Sequence, residues 1–293
     1  MPLQPGQVYL DPRIDAAFKK VFNLEHHQNL IIHLLNALLR RKEGDRIVKV
    51  EPLPIEMIPD IEENKKSILD LRCTDERKIQ YIVEIQNKNI TNFIQRCQFY
   101  ASQNYGRSLK MSEDYISLRP LIMISILNQN IFPPKVNYIS YHNTVEEETQ
   151  ECFLQDIAYV FVELKKFKNK DTSTFNIIDW WMDLFKHATE HKAVPEGAPL
   201  ELDEAYEALN RMGWTEAELA TYERDQIYRM DEANSLRTSR EEGLKEGLEK
   251  GAQEKSIEIA KQMIIDGLPT ATICKYTSLT EEEILTLQAS ISK

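Results

Sequence analysis

Glycine, cysteine and positive charge are all scarce in this sequence. It has 9 Gly and 12 Pro among 293 residues, too few for a low-complexity or collagen-like chain. Its four cysteines (Cys73, Cys97, Cys152, Cys274) lie far apart with no C-x-x-C pair. That spacing argues against a zinc site or a disulfide framework and predicts buried thiols in a reducing compartment. Long apolar runs are missing too: the longest, such as Leu121–Leu127, suits a strand and falls well short of the ~18 residues of a membrane helix. Met1–Leu10 has neither a basic n-region nor an apolar h-region, so no signal peptide and a cytoplasmic location are expected. Lys plus Arg number 36 against 47 Asp plus Glu, a net charge of -11, which excludes a general nucleic-acid coating protein. The deficit is uneven. Residues 196–254 hold 16 acidic and 7 basic side chains, a net of -9, so the rest of the chain carries only -2. A local basic cleft in the N-terminal two thirds is compatible with this. The 42% hydrophobic content is sufficient for a sizeable core.

Along the chain, Asp15–Arg41 reads as one amphipathic helix, with Phe18, Val21, Phe22, Leu30, Ile31, Leu34, Leu35 and Leu38 at helical steps. Ile47–Ile58, interrupted by Pro52 and Pro54, reads as an edge strand or irregular extended segment. Ser67–Cys73 and Lys78–Gln86 alternate around the polar Asp75-Glu76-Arg77 and predict a β-hairpin. Thr91–Met111 returns to helical spacing, Pro120–Leu127 predicts a strand buried on both faces, and Val136–Ser140 and Ala158–Leu164 predict two more strands. Helices follow over about 176–191, 201–212 and 215–267, with 193–200 as a linker. These readings divide the chain at 1–195 and 196–293.

Glycine recurs every four residues at Gly243, Gly247 and Gly251, costing a helix about 1 kcal/mol each against alanine. The spacing fits either a stripe that a second helix approaches, giving a homo-oligomer, or a frayed helix without a partner. Residues 257–287 read as short helices around Gly267-Leu268-Pro269 and Thr280-Glu281-Glu282-Glu283. Lacking a basic recognition face, they read as a packing or oligomerisation element rather than a DNA-reading helix-turn-helix. His187 and His191 have metal-pair spacing, but Ala188 leaves H-E-x-x-H incomplete and a surface or partly buried pair is expected. Trp180 and Trp181, beside Leu184 and Phe185, read as core rather than as base-stacking residues.

The hairpin carries the chemistry. A turn centred near Arg77 sets residues whose numbers sum to about 154 opposite one another, which pairs Asp70 with Glu84 at Cβ separations of about 4.5–5.5 Å. Gln86 shares the Glu84 face. Opposed carboxylates repel unless a cation lies between them, and Mg²⁺ prefers one or two protein carboxylates with water and phosphate completing its shell. The plain alternative is a solvated hairpin with its acids in water.

Leu69-Asp70 followed by Val83-Glu84-Ile85-Gln86 resembles the D…(E)xK core of the PD-(D/E)XK nucleases, in the branch with Gln at the lysine place. Residues 9–22, opening Tyr9-Leu10-Asp11-Pro12-Arg13, resemble the family's first helix; Phe93–Tyr100 its helix after the core; and Phe161–Phe167 its E-L-x-K-F segment. The Glu-Gly repeats and Leu279–Ile284 are similar to its tail. Taken in order, these segments identify the chain as resembling the Rpn family of PD-(D/E)XK nuclease and transposase-like proteins.

The resemblance implies an α/β restriction-endonuclease-like fold: an αβββαβ core with a four-stranded mixed sheet between helices, followed by an all-helical C-terminal extension. It implies a Mg²⁺-dependent DNA endonuclease linked to recombination or mobile elements, with Mn²⁺ as an acceptable ion. Asp15, Asp70, Glu84 and Gln86 match its catalytic positions, with Asp70 and Glu84 as metal ligands. Arg96 and Tyr100 are expected to face the DNA backbone, and Lys88 to stand in for the missing lysine charge. An amide at position 86 orients water but supplies no positive charge. A catalytically weak or inactive DNA-binding or regulatory member of the same fold is therefore the alternative. The expected partners are DNA and a second copy of the chain, with no membrane association.

Overall fold

The computed structural model describes residues 6–53, 71–87, 92–109, 112–168 and 171–291. The chain forms two compact units, Met1–Tyr228 and Arg229–Lys293, dividing later than the 195/196 boundary expected from sequence. The helix of residues 200–209 explains the later division: its Leu202, Ala205, Tyr206 and Leu209 are buried in the core of the first unit.

In the first unit, α1 (Asp15–Val21) and α2 (Gln28–Leu38) precede the strands. The single helix expected over 15–41 is therefore two helices. Asn23 causes the break: its Oδ1 accepts from the amides of Glu25 at 2.8 Å and His26 at 3.3 Å, which offers the backbone an alternative to continuing the helix. The short edge strand β1 (Val50–Pro52) ends at its proline. The predicted hairpin is present as β2 (Leu71–Asp75) and β3 (Gln80–Gln86). Asp75 organises its turn. The Oδ1 atom accepts from the amides of Arg77 at 3.0 Å and Ile79 at 2.9 Å, and Oδ2 accepts from the Tyr81 hydroxyl at 2.9 Å.

After α3 (Phe93–Arg107) come β4 (Leu121–Leu127), β5 (Ile139–Thr144) and β6 (Leu154–Glu163), then α4 (Ile177–His187) and α5 (Leu200–Leu209). Asn176 and Asp179 form a reciprocal capping box at α4, a device worth about 1 kcal/mol.

The sheet has six strands in the order β1-β2-β3-β4-β6-β5, not the four expected. The excess is β1 at one edge and β5 at the other. Strands β3, β4 and β6 run parallel, and the remaining pairings are antiparallel. Helices cover both faces, as expected. Tyr81, Val83, Ile85, Ile124, Ile126, Val160 and Val162 share one core with α1, α2, α4 and α5. Ile82, Leu121, Met123, Leu127 and Phe161 pack with Phe93, Cys97, Tyr100 and Ala101 on the α3 side. Trp181 is fully buried and Trp180 nearly so, in keeping with a core role. Cys73 and Cys97 are buried free thiols whose pKa values desolvation pushes up to about 12.

The helix α6 (Glu216–Ile265) runs out of the first unit's sequence into the second, where its last turns pack with α7 (Thr270–Thr277) and α8 (Glu281–Ile291) around Ala260, Ile273, Leu279 and Ile284. Among the described residues, no helix is long and apolar enough to cross a membrane.

Candidate active site

The hairpin register is the one that the turn predicts. Leu71 lies opposite Val83, Arg72 opposite Ile82, Cys73 opposite Tyr81 and Thr74 opposite Gln80. Asp70, the next position in this series, and Lys88 both lie outside the described residues.

Alternation along β3 turns Tyr81, Val83 and Ile85 toward the α1/α2/α4 layer and leaves Glu84 and Gln86 on the α3 side with Ile82. The parallel register places Ser125 and then Phe161 beside Glu84, and Leu127 and then Glu163 beside Gln86. Both residues therefore sit toward the carboxyl ends of the parallel strands, where open α/β sheets place their ligand crevices.

Glu84 is 1% exposed. Desolvation raises its pKa, and the neighbouring Arg96 guanidinium opposes that rise. Arg96, in the first turn of α3, donates from Nη2 to Glu84 Oε1. Its guanidinium also lies 5.9 Å from the Phe93 ring centroid and 5.6 Å from that of Tyr100. Glu84 Oε2 is buried and has no hydrogen-bond partner. Arg96 is thus turned inward onto a carboxylate, and Tyr100, expected beside it against DNA, is buried under the guanidinium at 6% exposure.

Arg72 lies on the same face of β2, by its register with Ile82. Burial lowers its pKa, and its Nη1 is buried without a partner. Arg72 is among the cations that the sequence places near the site.

Asp15 opens α1 in the opposite layer, where its Oδ2 pairs with Lys19 Nζ at 2.8 Å and its Oδ1 is buried without a partner. Asn87 donates from Nδ2 to the Arg13 carbonyl at 3.0 Å, which ties the end of β3 to the residues leading into α1. Asp15 is thereby held at the same end of the sheet as Glu84 and Gln86, on the other side of β3.

Glu163, in the E-L-x-K-F segment, is fully buried and serves the chain itself. Its Oε1 accepts from the amides of Ile131 and Phe132, and its Oε2 pairs with Lys166 at 2.6 Å. His187 and His191 are half-buried, the first pairing with Glu190 at 3.1 Å and the second with Asp183 at 2.8 Å. No group of three His, Cys, Asp or Glu side chains converges as a metal cage among the described residues.

Residues 12–239, well over half of the chain, match the family model described as PD-(D/E)XK nuclease family transposase. The chain belongs to that family. Residues 253–289 match the model described as Rpn/YhgA-like nuclease family, C-terminal HTH domain. This second match corrects the sequence reading that preferred a packing or oligomerisation element there. The α7–α8 pair on its small apolar core is a helix-turn-helix. Comparison with curated proteins and with solved structures gives no match. The protein is therefore a transposase-type nuclease-family member, linked to mobile elements, with a DNA-binding type of C-terminal module. That module opens its second helix with Glu281, Glu282 and Glu283.

Proposed function

We propose that the protein is a divalent-metal-dependent DNA endonuclease acting at the carboxyl end of β3. The observation that carries this reading is Glu84 Oε2, a buried hard oxygen with no partner, on the family's acidic position. Such an atom fits an oxygen-ligated ion such as Mg²⁺, or Mn²⁺ in its place. Glu84 and Asp70 would hold the ion. When bound, it supplies Lewis-acid polarisation of a phosphate and a more acidic water.

The chain's own residues do the rest. Gln86, on the Glu84 face, orients a water through its amide but brings no charge. Arg72 brings the charge: its buried, unpartnered Nη1 is suited to a phosphate oxygen, and its position on the Glu84 face compensates for the missing lysine. Asp15, with its open Oδ1, is placed to orient a water from the α1 side. Lys88 is a second source of positive charge beyond Gln86. The Gly243/Gly247/Gly251 face of α6 mediates self-association.

One observation favours the alternative of a weak or inactive DNA-binding member. Glu84 already has a cation, Arg96, in direct contact. A plasmid-nicking assay in Mg²⁺, Mn²⁺ and Ca²⁺ separates the two. Asp70→Ala and Glu84→Ala should each abolish Mg²⁺-stimulated nicking while leaving the circular dichroism spectrum intact. Variants that cut as well as the parent would place the chemistry elsewhere. A parent that binds DNA and cuts in no metal would establish the alternative.

A further inference from the structure

We propose that a cleft between α2 and α4 binds a nucleoside monophosphate, whose phosphate is held by Arg40, Arg41 and Arg46. The cleft lies within the first unit, and its ligand is independent of the chemistry proposed at β3.

The cleft has a volume of about 720 Å³, within the ~300–1,000 Å³ of small-molecule sites. It belongs to the α1/α2/α4 layer, whereas Glu84 and Gln86 face α3. One wall is α2 itself and another is the segment that follows it. Arg40 has a φ of 53°, the left-handed turn that ends a helix and lets the chain reverse. Asn36 then clamps the returning segment. Its Nδ2 donates to the Ile47 carbonyl at 2.9 Å and its Oδ1 accepts from the Ile47 amide at 2.8 Å. The three arginines are thus carried on a frame that is pinned at both ends. Ile32, Ile47, Ile177 and Ile178 supply the apolar surface.

Charge selects the ligand. Among the described residues, Arg40 and Arg46 have no carboxylate partner, and Arg40 lies instead over the Tyr141 ring, 4.5 Å from its centroid. Arg41 pairs with Asp45 at 2.7 Å through Nη1, while its Nε is buried without a partner. Two uncompensated guanidiniums and a third with an open N–H match the charge of about −1.5 to −2 and the three acceptor oxygens of a phosphate monoester. A carboxylate, with a single charge, would leave one arginine unbalanced.

Glu201 and His33 give the cleft a second pole. Glu201 Oε2 stands 3.7 Å from His33 Nε2, beyond hydrogen-bond distance. Trp181 Nε1 donates to His33 Nδ1 at 3.0 Å, so the imidazole proton is on Nε2, the nitrogen nearer Glu201. His33 and Arg40 are seven positions apart, about 10 Å along the helix direction. A carboxylate repels phosphate, so the ligand enters one way round. Its phosphate meets the arginines, its sugar or base donors meet Glu201, and the isoleucines take the faces of the base. Inorganic phosphate would use the arginine pole alone, and a plain nucleoside the other.

Calorimetry on the full chain in EDTA tests this, with the four ribonucleoside 5′-monophosphates, their nucleosides and inorganic phosphate as probes. At least one monophosphate should bind, about tenfold or more tighter than its nucleoside and than inorganic phosphate. Arg46→Gln, a change at an exposed residue, should weaken that monophosphate about tenfold by removing one charge-assisted contact. The double variant Arg40→Gln/Arg46→Gln should abolish measurable binding with an unchanged circular dichroism spectrum. Glu201→Gln should tighten inorganic phosphate and narrow its gap to the monophosphate. Failure of all four monophosphates to bind, or binding indifferent to the double variant, would overturn the proposal. A nucleoside that binds as tightly as its monophosphate would remove the arginine pole from the ligand and overturn it too. Inorganic phosphate that binds as tightly as any monophosphate would make the cleft a bare anion site and overturn the nucleotide assignment. Binding that appears only when Mg²⁺ is added, unchanged in the arginine variants, would place the ligand at β3 and overturn the cleft.

Discussion

Replacing Glu163 should unfold the protein long before it harms the chemistry, although Glu163 stands in a family motif and at the ligand-binding end of the sheet. It is fully buried at the end of β6. Its Oε1 accepts from the Ile131 amide at 2.6 Å and the Phe132 amide at 3.1 Å. Its Oε2 pairs with Lys166 Nζ, which also donates to the carbonyls of Pro133 and Val136 at 3.1 Å each. Glu163→Gln keeps an acceptor for the two amides and loses only the charge. Breaking a buried pair costs about 3–5 kcal/mol. Lys166 keeps two carbonyls and has some solvent access, so a loss of about 2–3 kcal/mol is expected. Glu163→Ala also strands two amides at about 1–3 kcal/mol each, for a total of roughly 5 kcal/mol or more. At about 2–4 °C per kcal/mol for a unit of this size, Glu163→Gln should melt roughly 4–12 °C below the parent. Urea unfolding followed by circular dichroism measures the stability, and plasmid nicking at a temperature where the variant is folded measures the chemistry. A Glu163→Gln variant as stable as the parent but unable to nick DNA would refute the structural assignment and make Glu163 a member of the site.

Protonation of His33 should destabilise the first unit. Trp181 Nε1 donates to His33 Nδ1 at 3.0 Å, which requires that nitrogen to be unprotonated, and burial holds the His33 pKa below its ordinary value. The unfolded chain takes up the proton first as pH falls, so this stability is present above the ordinary histidine pKa and is lost between it and the lower folded value. The urea midpoint should drop from pH 7.5 to 5.5, and His33→Gln should flatten that drop; equal pH slopes in parent and variant would contradict the assignment. Deleting residues 237–293 should abolish self-association in light scattering; a truncated chain that still self-associates would move the contact off the glycine face of α6.

The hairpin was legible because two local signals agree: the β alternation on either side and a turn whose Asp75 binds its own backbone and the Tyr81 hydroxyl. A register fixed by a turn carries along the strands, so four observed pairs follow from the one turn. The break between α1 and α2 was illegible because the apolar positions keep helical spacing straight through it. One polar side chain, Asn23, outcompetes that pattern at a single turn. The extents of the last two strands were less legible. The start of β6 is polar and exposed and β5 alternates only weakly, so their pairing with each other, and not local pattern, carries them over 154–163 and 139–144.

The site was half legible on the same principle. Glu84 and Gln86 share a face because strand periodicity makes them do so, and the family motif marks them. The cations around them obey no such rule. Arg96 meets Glu84 only because α3 crosses the sheet, and Arg72 is half-buried on the Glu84 face. This bears on the loss of the motif lysine. A lysine at position 86 would stand two residues from Glu84 on one strand, a fixed neighbour in every state of the site. In the reading proposed above, glutamine there leaves the positive charge to arginines from other elements, and Arg96 is already bound to the acid it would assist. Catalysis that draws its charge from such residues depends on how α3 sits on the sheet. Substitutions in the α3–sheet layer, at Phe93 or Tyr100, should therefore alter ion and DNA binding without touching either ligand.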